Sequence, residues 1–83
     1  MYTVENVDVL VREGTDDLEE AIDFHTAVLS LSYEQMTYLT QRFLGSSAKE
    51  ALQAAGVSTN STRFHEDAVR SLTKVLNGDE DGE

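Results

Sequence analysis

The residues best suited to chemistry form one run: Ser58, Thr59, Asn60, Ser61, Thr62 and Arg63. All are small or carry hydrogen-bonding groups. That is the side-chain set needed to read base edges in the major groove of double-stranded DNA. The Ser58–Thr59 end of a following helix could hold a phosphate oxygen, with Lys49, Arg42 and Arg70 on others. The predicted DNA-binding residues are therefore Ser58, Thr59, Asn60, Ser61, Arg63, Lys49, Arg42 and Arg70. Catalysis has no comparable support. The chain has no cysteine and only two histidines, His25 and His65, far apart. It has no glycine-rich phosphate loop and no nucleophile beside a base. His65, Glu66 and Asp67 are consecutive, and on a helix consecutive side chains diverge, so they do not converge on a metal or a proton. His25, on an apolar face, reads as a packing residue. The expectation is a binding protein with no catalytic residues, no metal and no cofactor.

Four helices and a strand are expected to position this run. Val7, Val9 and Val11 alternate with Asp8, Leu10 and Arg12, and period two with β-branched residues predicts a short strand or arm over residues 2–12. A lone strand needs a partner for its edges, so pairing with a second copy is expected. Asp16 and Glu19 fit a capping box that opens a helix over 16–30. Leu18, Ala21, Ile22, His25, Val28 and Leu29 then share one face, while Phe24, Ala27 and Leu31 lie opposite. Such a helix has apolar surface for its own core and for a partner. Ser32 with Gln35 opens a helix over 33–44, with Met36, Leu39 and Phe43 inward and Gly45 ending it. Tyr33 and Tyr38 read as core or boundary residues. Ser47 with Glu50 opens a short alanine-rich helix closed by Gly56. Ser58 is the predicted cap of a last helix, Thr59 to Leu76, stopped by Asn77-Gly78.

The stretch from Gly45 to His65 thus has the anatomy of a helix-turn-helix. Ala51 and Ala55 allow close packing, Gly56 permits the turn, and Val57 plugs the angle. The segments Leu31-Ser-Tyr-Glu-Gln35 through Phe43, Ser47-Ala-Lys-Glu-Ala51 and Ala54-Ala-Gly-Val-Ser58 resemble the DNA-binding domain of tailed-virus terminase small subunits. The same stretch is similar to the DNA-binding domain of LuxR-type regulators, through Leu31-Ser32, Lys49-Glu50, Gly56-Val57-Ser58 and His65. Gln35 and Ala54-Ala55-Gly56 favour the terminase type. That resemblance implies a ring-forming, non-catalytic protein that recognises viral DNA for genome packaging. It would present the DNA to a large, ATP-hydrolysing terminase subunit in the host cytoplasm. Terminase small subunits carry their assembly region after the DNA-binding domain. Here little follows Leu76, so assembly falls to residues 1–31. Thr62 stands where both families tend to place an aliphatic core residue. The alternatives are a transcription regulator and a structural or adaptor protein of a virion that binds no DNA.

Length and charge bound these readings. Eighty-three residues make one small domain. The longest apolar run, Val9 to Val11, is too short for a bilayer, so no membrane partner is expected. No charged-then-apolar leader opens the chain, which argues against a secretory signal and for a cytoplasmic protein. The net charge is −10. Taken whole, that opposes a phosphate-rich partner. Resolved along the chain, the acidity sits at the ends. Residues 1–30 hold eight carboxylates against Arg12 alone, and residues 77–83 hold four and no cation. Residues 31–76 hold four carboxylates against five cations. The division expected is an acidic oligomerisation segment over 1–31, a helix-turn-helix domain over 32–76 and a disordered acidic tail over 77–83. Only two lysines among so many carboxylates suggests a halophilic source, the alternative being an acidic interaction tail or a nucleic-acid mimic. Binding by one such copy is weak, so a homo-oligomer is expected.

Overall fold

The structure, a computed structural model, describes residues 1–78 as an all-α bundle of five helices. They are α1 (Val4–Glu13), α2 (Leu18–Val28), α3 (Tyr33–Phe43), α4 (Ala48–Ala55) and α5 (Phe64–Leu76). Of the predicted acidic tail, residues 79–83 lie outside the described residues. No strand occurs among the described residues.

The predicted N-terminal strand is a helix. Val7, Leu10 and Val11 have the three-and-four spacing of a helix and all three are buried, whereas Val9, the middle of the alternating set, is exposed. Thr3 caps α1 by accepting from the Asn6 amide at 3.1 Å. A helix also satisfies its backbone groups internally, which an unpaired strand cannot. Valine's lower helix propensity costs a few tenths of a kcal/mol per residue, whereas burying each side chain contributes about 1.5–3 kcal/mol. Burial decides. Gly14, at φ 74°, ends the helix and donates to the Leu10 carbonyl at 2.9 Å.

Helix α2 starts one residue later than predicted. Asp17, not Asp16, caps it, accepting from the amides of Glu19 and Glu20. Its core face is Phe24, Ala27 and Val28. Phe24 selects that face by stacking on Phe43, with centroids 4.2 Å apart and planes at 14°. Leu18, Ile22 and Leu29, on the other apolar side, remain exposed.

The remaining caps follow the sequence closely until the last helix. Ser32 accepts from the Gln35 amide at 3.2 Å. Ser47 and Glu50 form a complete reciprocal capping box. Helices α3 and α4 both end in the double hydrogen bond of a glycine C-cap, at Gly45 (φ 107°) and Gly56 (φ 76°).

The core is one cluster supplied by every helix, from Val7 and Val11 through Phe24, Tyr38, Leu39 and Ala51 to Val69 and Leu72. Residues 1–31 are therefore not an arm. Helix α1 packs on α3 and α5, and α2 packs on the same two. The chain ends are also joined. The Tyr2 amide donates to Asn77 Oδ1, and Asn77 Nδ2 donates to the Tyr2 carbonyl, each at 2.8 Å.

Candidate nucleic-acid interface

Ser58 does not cap α5. The last helix begins at Phe64, and Ser58–Arg63 form an irregular joint of two successive turns. The Ser61 amide donates to the Ser58 carbonyl at 3.1 Å, and the Phe64 amide to the Ser61 carbonyl at 3.4 Å. Ser58 Oγ accepts from the Asn60 amide at 3.2 Å, the local turn bond that serine offers instead of a helix cap. Five short polar residues in a row give the backbone such alternatives and bury no apolar surface, so the helix waits for Phe64. Hence no helix N-terminus stands at Ser58–Thr59 to hold a phosphate. The true first turn of α5 carries Glu66 and Asp67, which repel one.

The joint is nonetheless open. Ser58, Thr59, Asn60, Thr62 and Arg63 are exposed, and Ser61 is half-buried. Val57, just before it, packs half-buried on the core. Ala51 and Ala55 are buried, but α4 leans on α3, and its contact with α5 is slight. The two helices flanking the joint are thus less closely packed than a tight helix-turn-helix requires.

The predicted phosphate contacts differ among themselves. Lys49 is exposed on the first turn of α4. Neither Lys49 nor Arg63 forms an ion pair among the described residues. Arg70 is exposed but pairs with Glu66 at 2.8 Å, one helical turn back, so its charge is partly answered. Arg42, at the end of α3, is half-buried, with its Nε buried and without a hydrogen-bond partner.

Arg42 lines a groove of about 300 Å³ with Asp8, Arg12, Tyr38, Ala48 and His65. This groove joins residues from four helices that sequence spacing did not connect. The Tyr38 hydroxyl lies 2.6 Å from His65 Nδ1, and His65 Nε2 lies 2.5 Å from Asp8 Oδ1. Arg12 reaches the other carboxylate oxygen of Asp8 at 3.2 Å. Asp8 Oδ1 accepts from His65 Nε2–H, and the Tyr38 hydroxyl pairs with Nδ1 in the direction that the imidazole's tautomer sets. Burial raises the Tyr38 pKa; the Arg42 cation works against that and the Asp8 anion adds to it. The hydroxyl therefore stays protonated, and the series acts as a tie between α1, α3 and α5. His65 was legible as a poor partner for its neighbours Glu66 and Asp67. Its real partners lie 27 and 57 residues away, and no local pattern marks them.

Among the described residues, no group of three or more acidic or histidine side chains is placed to hold a metal ion. Nor is any helix among the described residues long and apolar enough to cross a membrane. No family model, curated protein or solved structure matches the chain. What stands is the class: a small all-α bundle with a polar, open joint before its last helix.

Proposed function

We propose that this is a DNA-binding domain that works in several copies, in the role of a terminase small subunit starting viral genome packaging. One observation carries the reading. In a chain of net charge −10, the exposed polar joint holds Asn60 and the unpaired Arg63, and Lys49 is also free among the described residues. Because the joint is not helical, contact would come from the loop itself rather than from a helix laid along the groove. Arg63 and Asn60 reach base edges or the groove wall, and Lys49, Arg42 and Arg70 approach phosphates. In the packaging role the protein partner is the large ATP-hydrolysing subunit, met in the host cytoplasm. A two-fold transcription regulator would use the same residues on half-sites about 34 Å apart.

The test is a gel-shift series over salt on double-stranded DNA. Removing one phosphate contact, as in Lys49→Ala, lowers the salt slope by about one and weakens binding across sequences. Arg63→Ala and Asn60→Ala weaken binding at fixed salt. If neither changes it, the joint is not the interface. If no binding occurs at any salt, the adaptor reading replaces this one. Salt-rich surroundings reduce the counterion term, so base contacts and multiple copies would carry more of the affinity.

A further inference from the structure

Helix α2 carries an apolar stripe that its own core leaves uncovered. Leu18 is 74% exposed, Ile22 54% and Leu29 73%, and His25 between them is exposed as well. Leu29 is the C-cap but keeps helical angles. At about 100° per residue these four positions fall within an arc of roughly 60°. Their spacing of four, three and four is the spacing of a coiled-coil seam. The core face of Phe24, Ala27 and Val28 points elsewhere, so the stripe is spare surface.

We propose that a second copy of this chain covers the stripe, with its α2 laid antiparallel. Reversal maps the seam onto itself. Leu18 meets Leu29 of the other copy, and Ile22 meets its His25. The charges select the same arrangement. Asp16, Asp17, Glu19, Glu20 and Asp23 crowd the first half, and residues 24–33 contain no acid. Antiparallel pairing lays each acidic half beside an acid-free half that carries His25, and it also opposes the helix dipoles. Parallel pairing sets the two acidic halves against each other. A basic helix from another protein would find carboxylates along only half of the seam.

The pairing is weak. Helix α2 is about 16 Å long, and four layers of side chains cover less than the ~800 Å² per partner of a standard interface. The interface deepens the several-copies reading above, on which its purpose rests, because a weak contact becomes effective once copies share one DNA. Each chain's negative charge opposes approach and is screened by salt, so pairing strengthens as salt rises, whereas DNA binding weakens.

The test is analytical ultracentrifugation of the full chain without DNA, up to millimolar concentration, at about 0.15 M and about 2 M NaCl. A dimer that tightens with salt is expected. Ile22→Asp and Leu29→Glu should each weaken it about tenfold or more, with helical content by circular dichroism unchanged. His25→Leu should tighten it. Because the chain has no cysteine, direction can be read by cross-linking. Mixed Leu18→Cys and Leu29→Cys chains should oxidise to a heterodimer, and Leu18→Cys alone should not. A monomer at all salts, or association indifferent to both charged substitutions, overturns the seam. Self-cross-linking of Leu18→Cys overturns its direction. Neither result depends on whether the joint binds DNA, which the gel shifts report separately.

Discussion

Two polar regions of this molecule use similar residues to opposite ends. The Tyr38–His65–Asp8–Arg12 series ties three helices together across sequence gaps of 27 and 57 residues. The hydrogen bonds of the Ser58–Arg63 joint stay local, within itself and to the first turn of α5, between residues two to four apart. In the first region the polar groups are committed to the fold, and Tyr38 is buried to 1% exposure. In the second they face solvent and are available. The lesson is that a polar residue's availability depends on the reach of its partners more than on its type. The Asn60 and Arg63 side chains face solvent because turns within the joint satisfy its backbone locally. Histidine and aspartate in the groove are occupied because distant helices meet there.

The sharpest way to break this contrast is to remove the tie. Tyr38→Ala deletes a buried aromatic and its hydroxyl, and the expected loss is about 3–5 kcal/mol in urea unfolding. A loss under about 1 kcal/mol would mean that the groove does not hold the bundle together. Tyr38→Phe isolates the hydroxyl and leaves His65 Nδ1 without its hydroxyl partner, at a cost of about 1 kcal/mol. The same variant tests the pH dependence. The folded Tyr38 pKa is raised above the ordinary value of 10.0. Its contribution is therefore complete below pH 10 and declines as pH rises through the folded value. Thermal melts above pH 10 should fall less steeply for Tyr38→Phe than for the parent. Asp8→Ala removes the carboxylate partner of His65 Nε2 and of Arg12, but these groups are partly solvated, and about 1 kcal/mol or less is expected. At the small end, Asn60→Ala and Arg63→Ala should change stability by no more than about 0.5 kcal/mol. Their effect should appear in DNA affinity instead. A large stability loss at either position would erase the distinction between the two regions.

Local signals were legible where they are self-contained. Ser47 with Glu50, Ser32 with Gln35, and the glycines at 45 and 56 marked α3 and α4 almost to the residue. Each works through contacts within a few residues, so spacing reveals it. The same reasoning failed for residues 2–12, where alternation and helical spacing coexist in Val7–Val11. It failed again at Ser58, whose side chain serves a turn as readily as a helix cap. In both places local bonding is degenerate. The choice fell to what burial against other helices could add. Of the predicted interface, Lys49 and the joint's exposed residues stand open as expected. Arg70 is paired and Arg42 is drawn into a groove that the sequence did not suggest.

The sequence by itself determined a mainly helical chain with acid at its ends, cations in its middle and serine- and glycine-capped helices over α3 and α4. Those properties depend on composition and on neighbours within one turn. Only the tertiary structure decided that α1 is a helix, that α2 turns Phe24 inward and leaves Leu18, Ile22 and Leu29 outside, and that His65 meets Tyr38 and Asp8. Each of those outcomes compares one burial with another, and that comparison exists only once five helices share a core.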